Sequence, residues 1–350
     1  MNIYLVGSGG TAEAYETSQR KYKPRRLFSY YTLITADSGY GEQDRFDWLI
    51  RYAGSVAMRR KKLSLFLDSG AFSAWSKNVP IEIDEYIQFI KRYKKHIEYY
   101  AVLDDINDPE TTLNNQKIME KAGLKPVPCF HFSEPIKYLK HYLDNYDFVA
   151  LGGMVPISTP VLREWLDGLF LKYICKKDGM PRCKIHGFGM TSHDLMVRYP
   201  WYSVDSTSWV MTGRHGAIMV PRKKQGEYDY TRRPFIVDVS NKSGALKTIG
   251  KHIENFAPNT RQFILDYLDE KGFTFGRSSV KGVEEGYVLQ EGERWFSRKL
   301  MTVEIIEEEG VTNNYRLRDE VNILFYLDFE KNLPKWPWPF KIVQPRRFGQ

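Results

Sequence analysis

Between residues 1 and about 210, short apolar runs alternate with longer amphipathic ones, and several apolar runs end on an aspartate or a glycine. Ile3–Val6, Leu63–Leu67, Tyr100–Leu103, Pro126–Phe132, Phe148–Leu151, Cys183–Phe188 and Tyr202–Val204 read as strands, with another at Leu27–Leu33. Between them lie helical patterns. Ile83, Ile87, Ile90 and Ile97 recur near the 3.6 period after Pro80, and others run over 109–121, 135–143 and 160–173. Proline opens several of these, which suits a first helical turn whose N–H has no partner anyway. Such alternation calls for a parallel sheet, open or closed. Eight strands predict an α/β fold of the TIM-type (β/α)8 barrel kind.

A barrel gathers its chemistry at the C-terminal ends of its strands. Asp68, Asp104, Gly152-Gly153, Gly187-Phe188-Gly189 and Asp205 each follow directly on an apolar run, so they are expected to converge on one face.

After about residue 210 the rhythm changes. Residues 214–251 carry nine Lys or Arg against three Asp or Glu, and helical patterns follow near 260–270, 294–308 and 316–330. The expected division is a catalytic barrel over 1–212 and a basic, mainly helical C-terminal extension over 213–350, a candidate nucleic-acid-binding region. A net charge of +8 favours an anionic partner, although many basic proteins are merely soluble. Three cysteines, Cys129, Cys175 and Cys183, form no CxxC pair and suit a reducing cytoplasm. The N-terminal Met1–Gly7 reads as a strand rather than a signal peptide, and no run is long enough to span a bilayer. A cytoplasmic protein without a membrane partner is the expectation.

Each chemical motif has a bland reading. In Asp68-Ser69-Gly70-Ala71-Phe72 an aspartate leaves a hydrophobic strand into small residues, which opens room for a ligand, but Asp-Ser-Gly is also ordinary turn chemistry. Ser206-Thr207-Ser208 after Asp205 would keep a carboxylate ionised or cap a helix. Two strand-end aspartates together say more, because carboxylate pairs support displacement at an anomeric carbon. Asp104-Asp105 adds acceptors suited to the N1–H and amino group of guanine, or caps the helix starting near Pro109. Gly152-Gly153 would let backbone amides approach a purine carbonyl.

Taken in order, Asp68-Ser69-Gly70-Ala71-Phe72, Leu103-Asp104-Asp105, Leu151-Gly152-Gly153-Met154, His186-Gly187-Phe188-Gly189 and Val204-Asp205-Ser206-Thr207-Ser208-Trp209 resemble guanine transglycosylases across roughly residues 60–210. The last segment is more similar to archaeal-type members than to bacterial ones. The branch that modifies DNA in phages and some bacteria is the nearest in pattern. The resemblance implies a pentosyltransferase in which Asp205 attacks C1′, expelling guanine and leaving a glycosyl-enzyme. Asp68 would then take the proton of an incoming 7-deazaguanine such as the 7-cyano precursor preQ0. Asp104 would hold the base's N1 and amino edge and the Gly153 backbone its carbonyl. Phe72 would stack on the base, with Ser69, Gly152, His186 and Gly187 completing the substrate pocket. No cofactor is needed, because one glycosidic bond replaces another.

The tRNA-modifying members of that family carry a zinc site of three cysteines and a histidine after the nucleophile. No cysteine follows Asp205, so that site has no counterpart and no metal is expected. Cys175, Cys183 and His186 are a conceivable substitute, but buried or incidental thiols explain them better. The missing zinc site moves the expected partner from tRNA to DNA. A zinc-less tRNA enzyme and a non-catalytic nucleic-acid-binding barrel stand as the alternatives.

Other signals are weaker. Arg222-Lys223-Lys224 and Arg232-Arg233 would track phosphates or form a solvated loop. Trp209 would fill the gap left by a flipped base, or pack in a core. The tail with Trp336, Trp338, Arg346 and Arg347 mixes aromatics and cations as single-strand binders do, yet such Pro-Trp segments more often dock on their own domain. Gly7-Ser8-Gly9-Gly10 fits no phosphate-loop spacing. His131, His193 and His215 lack a metal spacing, though His131 is placed to reach the base.

Overall fold

The computed structural model describes residues 1–7, 11–35, 42–53, 64–243 and 250–341. Two compact units divide the chain. Met1–Ser8, Lys23–Thr207 and Glu330–Gln350 form the first, and Gly9–Tyr22 with Ser208–Phe329 the second.

The first unit holds eight parallel strands: β1 (Asn2–Val6), β2 (Arg25–Ser29), β3 (Leu65–Asp68), β4 (Tyr99–Tyr100), β5 (Cys129–His131), β6 (Phe148–Gly152), β7 (Lys184–Gly187) and β8 (Ser203–Ser206). Their order is β4-β3-β2-β1-β8-β7-β6-β5, with β1 and β8 paired in register Tyr4 to Asp205. A parallel bridge between Ala101 and Val127 joins the two outer members of that order. Val102 N donates to Val127 O at 3.0 Å, and Val127 N to Tyr100 O at 2.8 Å. The TIM-type barrel is therefore present, closed by one short bridge.

Several expected strands are shorter than the apolar runs suggested. The run over Leu27–Leu33 is a strand only to Ser29 and then turns into the helix Tyr30–Ile34. Leu63 lies outside the described residues. The helix expected after Pro80 spans Ile83–Tyr93 and buries Tyr86, Ile87 and Ile90, while Ile97 is buried beyond its end.

Aromatic side chains fill the barrel. Tyr4, Phe66, Phe148 and His186 interlock, with ring centroids of Phe66 and His186 4.6 Å apart and of Tyr4 and Phe66 5.6 Å apart. Tyr99, Phe148 and Tyr202 form a further group in which the Tyr99 and Tyr202 hydroxyls meet at 3.0 Å. The described part of the tail docks on this unit. Trp336 meets Tyr202 at 5.3 Å and Phe340 packs on Phe170 and Tyr199, so the docking reading of this segment holds. Arg346 and Arg347 lie outside the described residues.

The second unit departs from the expected mainly helical extension. Its helices include Ala12–Tyr22, Pro258–Glu270 and most of Tyr315–Asn332. Antiparallel pairs add to these: Ala217–Val220 with Phe235–Asp238, and Arg222–Lys224 with Glu227–Asp229. Residues 294–308, expected as helix, form strands Glu293–Ser297 and Thr302–Glu308, the latter also paired with Arg277–Gly282. Trp295, Phe296, Val303, Ile305 and Ile306 are aromatic or β-branched, residues that lose side-chain freedom in a helix and pack well on a pleated surface. Met301, at φ 46°, makes the turn between the two strands. The boundary also moves, since the barrel unit ends at Thr207 rather than 212 and reclaims the C-terminal segment.

Trp209 is buried in this second unit, where its carbonyl accepts from Asn322 Nδ2 at 3.0 Å; it is a core residue. The cations of the basic stretch are partly engaged locally. The Arg222 guanidinium sits 4.0 Å over the Phe235 ring, and Lys223 Nζ is 4.8 Å over Tyr228. No helix among the described residues is long and apolar enough to cross a membrane.

Candidate active site at the strand ends

Asp205 is the third residue of β8, two positions after Ser203, so the pleat points both side chains to one face. Its Oδ1 accepts from His186 Nε2 at 3.2 Å and from the Gly189 amide at 2.9 Å. His186 is fully buried, and its Nδ1 lies 2.8 Å from Ser203 Oγ. Burial lowers the His186 pKa, against the opposing pull of Asp205, so the ring is neutral. The consistent tautomer donates from Nε2 to Asp205 and accepts the Ser203 hydroxyl at Nδ1. The order Ser203–His186–Asp205 thus fixes the rotamer of the carboxylate. His186, expected in the substrate pocket, instead orients Asp205 from behind.

Asp68 ends β3. Burial lifts its carboxyl to about 8, with the negative charges of Asp104 and Asp205 adding to the rise. Backbone hydrogen bonds pull the other way, including Gly70 N to Asp68 Oδ2 at 3.1 Å, but they do not prevail. Asp68 therefore carries a proton near neutral pH and releases it in mildly alkaline solution. Such a pKa, next to a second carboxylate kept for another task, is how one site provides an acid and a nucleophile together.

That shift has a stability consequence. Asp68 in the native state holds a proton that the unfolded chain has lost above its ordinary value near 4, so stability falls as pH rises from there to about 8. The penalty is complete above that value. Asp68→Asn is expected to be more stable than the parent at pH 9 by on the order of 2–3 kcal/mol, discounted for the partial exposure of Asp68, and no different near pH 4. Urea unfolding at the two pH values measures it. Equal stability at pH 9 would refute the assigned protonation.

Ser69 is buried; its hydroxyl donates to Asp104 Oδ1 at 2.6 Å and accepts from Ala71 N at 3.1 Å. It positions Asp104 rather than lining open space. Asp104 also receives His131 Nε2 at Oδ2, 2.9 Å away. Burial would raise the Asp104 pKa, but hydrogen bonds from His131 and Ser69 override it and hold the carboxylate ionised. His131 in turn bonds Glu134 Oε1 through Nδ1 at 2.8 Å. Burial opposes its charge, yet the Cys129 sulfur, Asp104 and Glu134 around the ring raise its pKa well above the usual value.

Gly70 is the pivot between Asp68 and the short helix Ala71–Ser76. It has φ +78°, and a Cβ there would lie 2.2 Å from Ser29 Oγ and 2.5 Å from Tyr31 Cβ. Gly70→Ala is expected to cost about 2–4 kcal/mol through strain and overpacking together, read as a lowered denaturation midpoint. Gly152 ends β6, and a Cβ on it would come within 2.8 Å of the His131 ring and 2.9 Å of Cys129 Sγ. Gly153 follows it directly, packed beside the Phe132 backbone. Gly187 lies against the Trp201 ring, so its missing side chain makes room for packing rather than for substrate.

Phe72 and Trp75 project from the short helix, 48% and 53% exposed, with centroids 6.0 Å apart. Trp75 borders an open cleft of about 600 Å³ whose lining includes Ala71, Val79, Leu103, Asp104 and Asn115. That volume is within the usual range for small-molecule sites. Trp75 and Glu134 were not singled out in the sequence, and His131 was expected only to reach the base. The signal for Trp75 was its place three residues after Phe72, one turn along the same helical face. For His131 it was the period-2 spacing from Cys129 on β5.

No protein-family model matches the chain, and no curated protein matches it. Solved structures that match include a protein from Aquifex aeolicus VF5, at 11% identity and TM-score 0.40, spanning 60% of this chain and 84% of that one. A mutant tryptophan synthase alpha-subunit from Pyrococcus furiosus matches at 14% identity and TM-score 0.38, spanning 61% and 89%. Likenesses this distant carry no argument about chemistry.

Proposed function

We propose that this chain exchanges guanine in DNA for a 7-deazaguanine base through a covalent aspartyl-glycosyl intermediate. The observation that carries the reading is the inequality of two carboxylates at one barrel mouth: Asp205 held in a fixed rotamer by two donors, and Asp68 holding a proton.

Asp205 Oδ1 takes both hydrogen bonds, which leaves Oδ2 as the oxygen that attacks C1′. The bond from C1′ to the guanine nitrogen breaks as the bond from C1′ to oxygen forms, and the Asp68 proton passes to the departing nitrogen. In the second half, the incoming base gives its proton to Asp68, its nitrogen bonds C1′, and Asp205 leaves. Splitting one displacement into two preserves the configuration at C1′. The ionised Asp104, braced by Ser69 and His131, accepts from the N1–H and amino group of the base. Phe72 stacks on its face.

Incubating the protein with DNA and labelled guanine, then denaturing, tests the reading. A denaturation-resistant protein–DNA adduct and label in DNA are expected, with deazaguanine nucleosides appearing when such a base is supplied. Label entering tRNA alone would replace DNA by tRNA as the substrate. Label in neither polymer, with folded protein and base present, would overturn base exchange altogether.

A further inference from the structure

Asp104, Cys129 and His131 bring one oxygen, one sulfur and one nitrogen within 4.8 Å of one another, the sole such group of three metal-ligating residue types among the described residues. Cys129 and His131 are two apart on β5 and face the same way, and Asp104 comes from the neighbouring strand end. We propose that these three side chains bind one divalent transition-metal ion, with zinc the best match. The inference goes beyond base exchange and does not rest on it.

Four features support the site. First, Cys129 Sγ and His131 Nε2 are 3.6 Å apart, and the corresponding edge of a tetrahedral zinc site with ordinary bond lengths is about 3.5–3.6 Å. The Asp104 Oδ2 to His131 Nε2 separation is 2.9 Å, so this edge would open by a few tenths of an ångström to reach about 3.3 Å. Second, Glu134 takes the other ring nitrogen at 2.8 Å. A carboxylate on the far nitrogen is the usual support of a metal-bound histidine, because it fixes the proton on Nδ1 and turns the Nε2 lone pair to the ion.

Third, Gly152 has no side chain to push the donors out of place. A Cβ at Gly152 would come 2.9 Å from the sulfur and 2.8 Å from the imidazole, so a side chain there would crowd both ligands. Fourth, there is a way in. Cys129 and His131 are buried, while Asp104 lines the open cleft. Binding would displace two protons, that of the Cys129 thiol and the one His131 holds on Nε2 toward Asp104, leaving the imidazole neutral with its remaining proton on Nδ1. A thiolate in the set favours a borderline ion such as zinc over magnesium or calcium. Three protein ligands leave a fourth position for water or a heteroatom of a bound ligand.

An Asp104–His131–Glu134 ion-pair chain with a bystander thiol is the competing account, and metal content separates the two. The full-length protein is stripped with chelator, confirmed folded by circular dichroism, and titrated with zinc or cobalt(II) alone. About one equivalent is expected, together with a thiolate-to-cobalt absorption band and at least a tenfold loss of affinity in Cys129→Ser. Cys175→Ser with Cys183→Ser should keep both metal and band. If His131→Ala fails to fold, the cobalt band and its loss in Cys129→Ser still decide. Less than a tenth of an equivalent in folded parent protein, or a band that survives Cys129→Ser, overturns the site. Because no nucleic acid or base is present, this result is independent of whether exchange occurs.

Discussion

Replacing Asp205 with alanine is expected to lower base exchange by about 10⁴-fold or more and to abolish the protein–DNA adduct, with folding intact. The size follows from the proposed role, because without the carboxylate the first displacement would have no nucleophile. Asp205 is nearly buried, and removing it leaves the His186 Nε2–H and the Gly189 amide without their acceptor. A stability cost of about 1–3 kcal/mol is expected alongside. Asp205→Asn keeps the shape and discriminates further, since an amide can fill the site without attacking C1′. Quenched-gel detection of the adduct separates chemistry from binding. An adduct that persists in Asp205→Ala would remove this residue from the nucleophile's role.

The second large effect concerns Asp68. With its carboxyl lifted to about 8 by burial and by the charges of Asp104 and Asp205, the acid form predominates at neutral pH. In the proposed reaction adduct formation needs that form, because the departing guanine takes its proton. The single-turnover rate is therefore expected to be level through neutral pH and to fall tenfold per unit above about 8. Asp68→Asn should lower exchange by about 10²–10⁴-fold and remove this inflection, while the Asp205 adduct, once formed, should be slow to resolve. A rate that instead rises through pH 8 in the parent protein would assign the limiting step to Asp68 as base.

The barrel was readable because its strands are buried on both faces and its helices on one, so the two periods differ along the chain. The strand-end aspartates were readable for the same reason: each marks where an apolar run meets the barrel mouth. Asp68 ends β3, Asp205 lies within β8 and Gly152 ends β6. Two things were not readable. Residues 294–308 carry charges at spacings that suit an exposed helix, and only pairing with neighbouring strands makes them β-structure. The second unit recruits Gly9–Tyr22 from far away in sequence, with Tyr22 donating to Glu320 at 2.8 Å. Periodicity is local and cannot show such a partner.

The site divides along the same line. Composition and order alone selected Asp68, Asp104 and Asp205, because strand-end position is a property of the local pattern. What each does is decided by neighbours from other strands. His186 became the support of Asp205 because β7 and β8 are adjacent, and Ser69 became the brace of Asp104 because the ends of β3 and β4 lie side by side. His131 was expected to reach the base, but only the fold set it between Asp104, Glu134 and Cys129. The proton on Asp68 belongs wholly to the tertiary structure. A carboxyl's affinity for protons depends on the water it loses and the charges it faces, and both are set by residues distant in the chain.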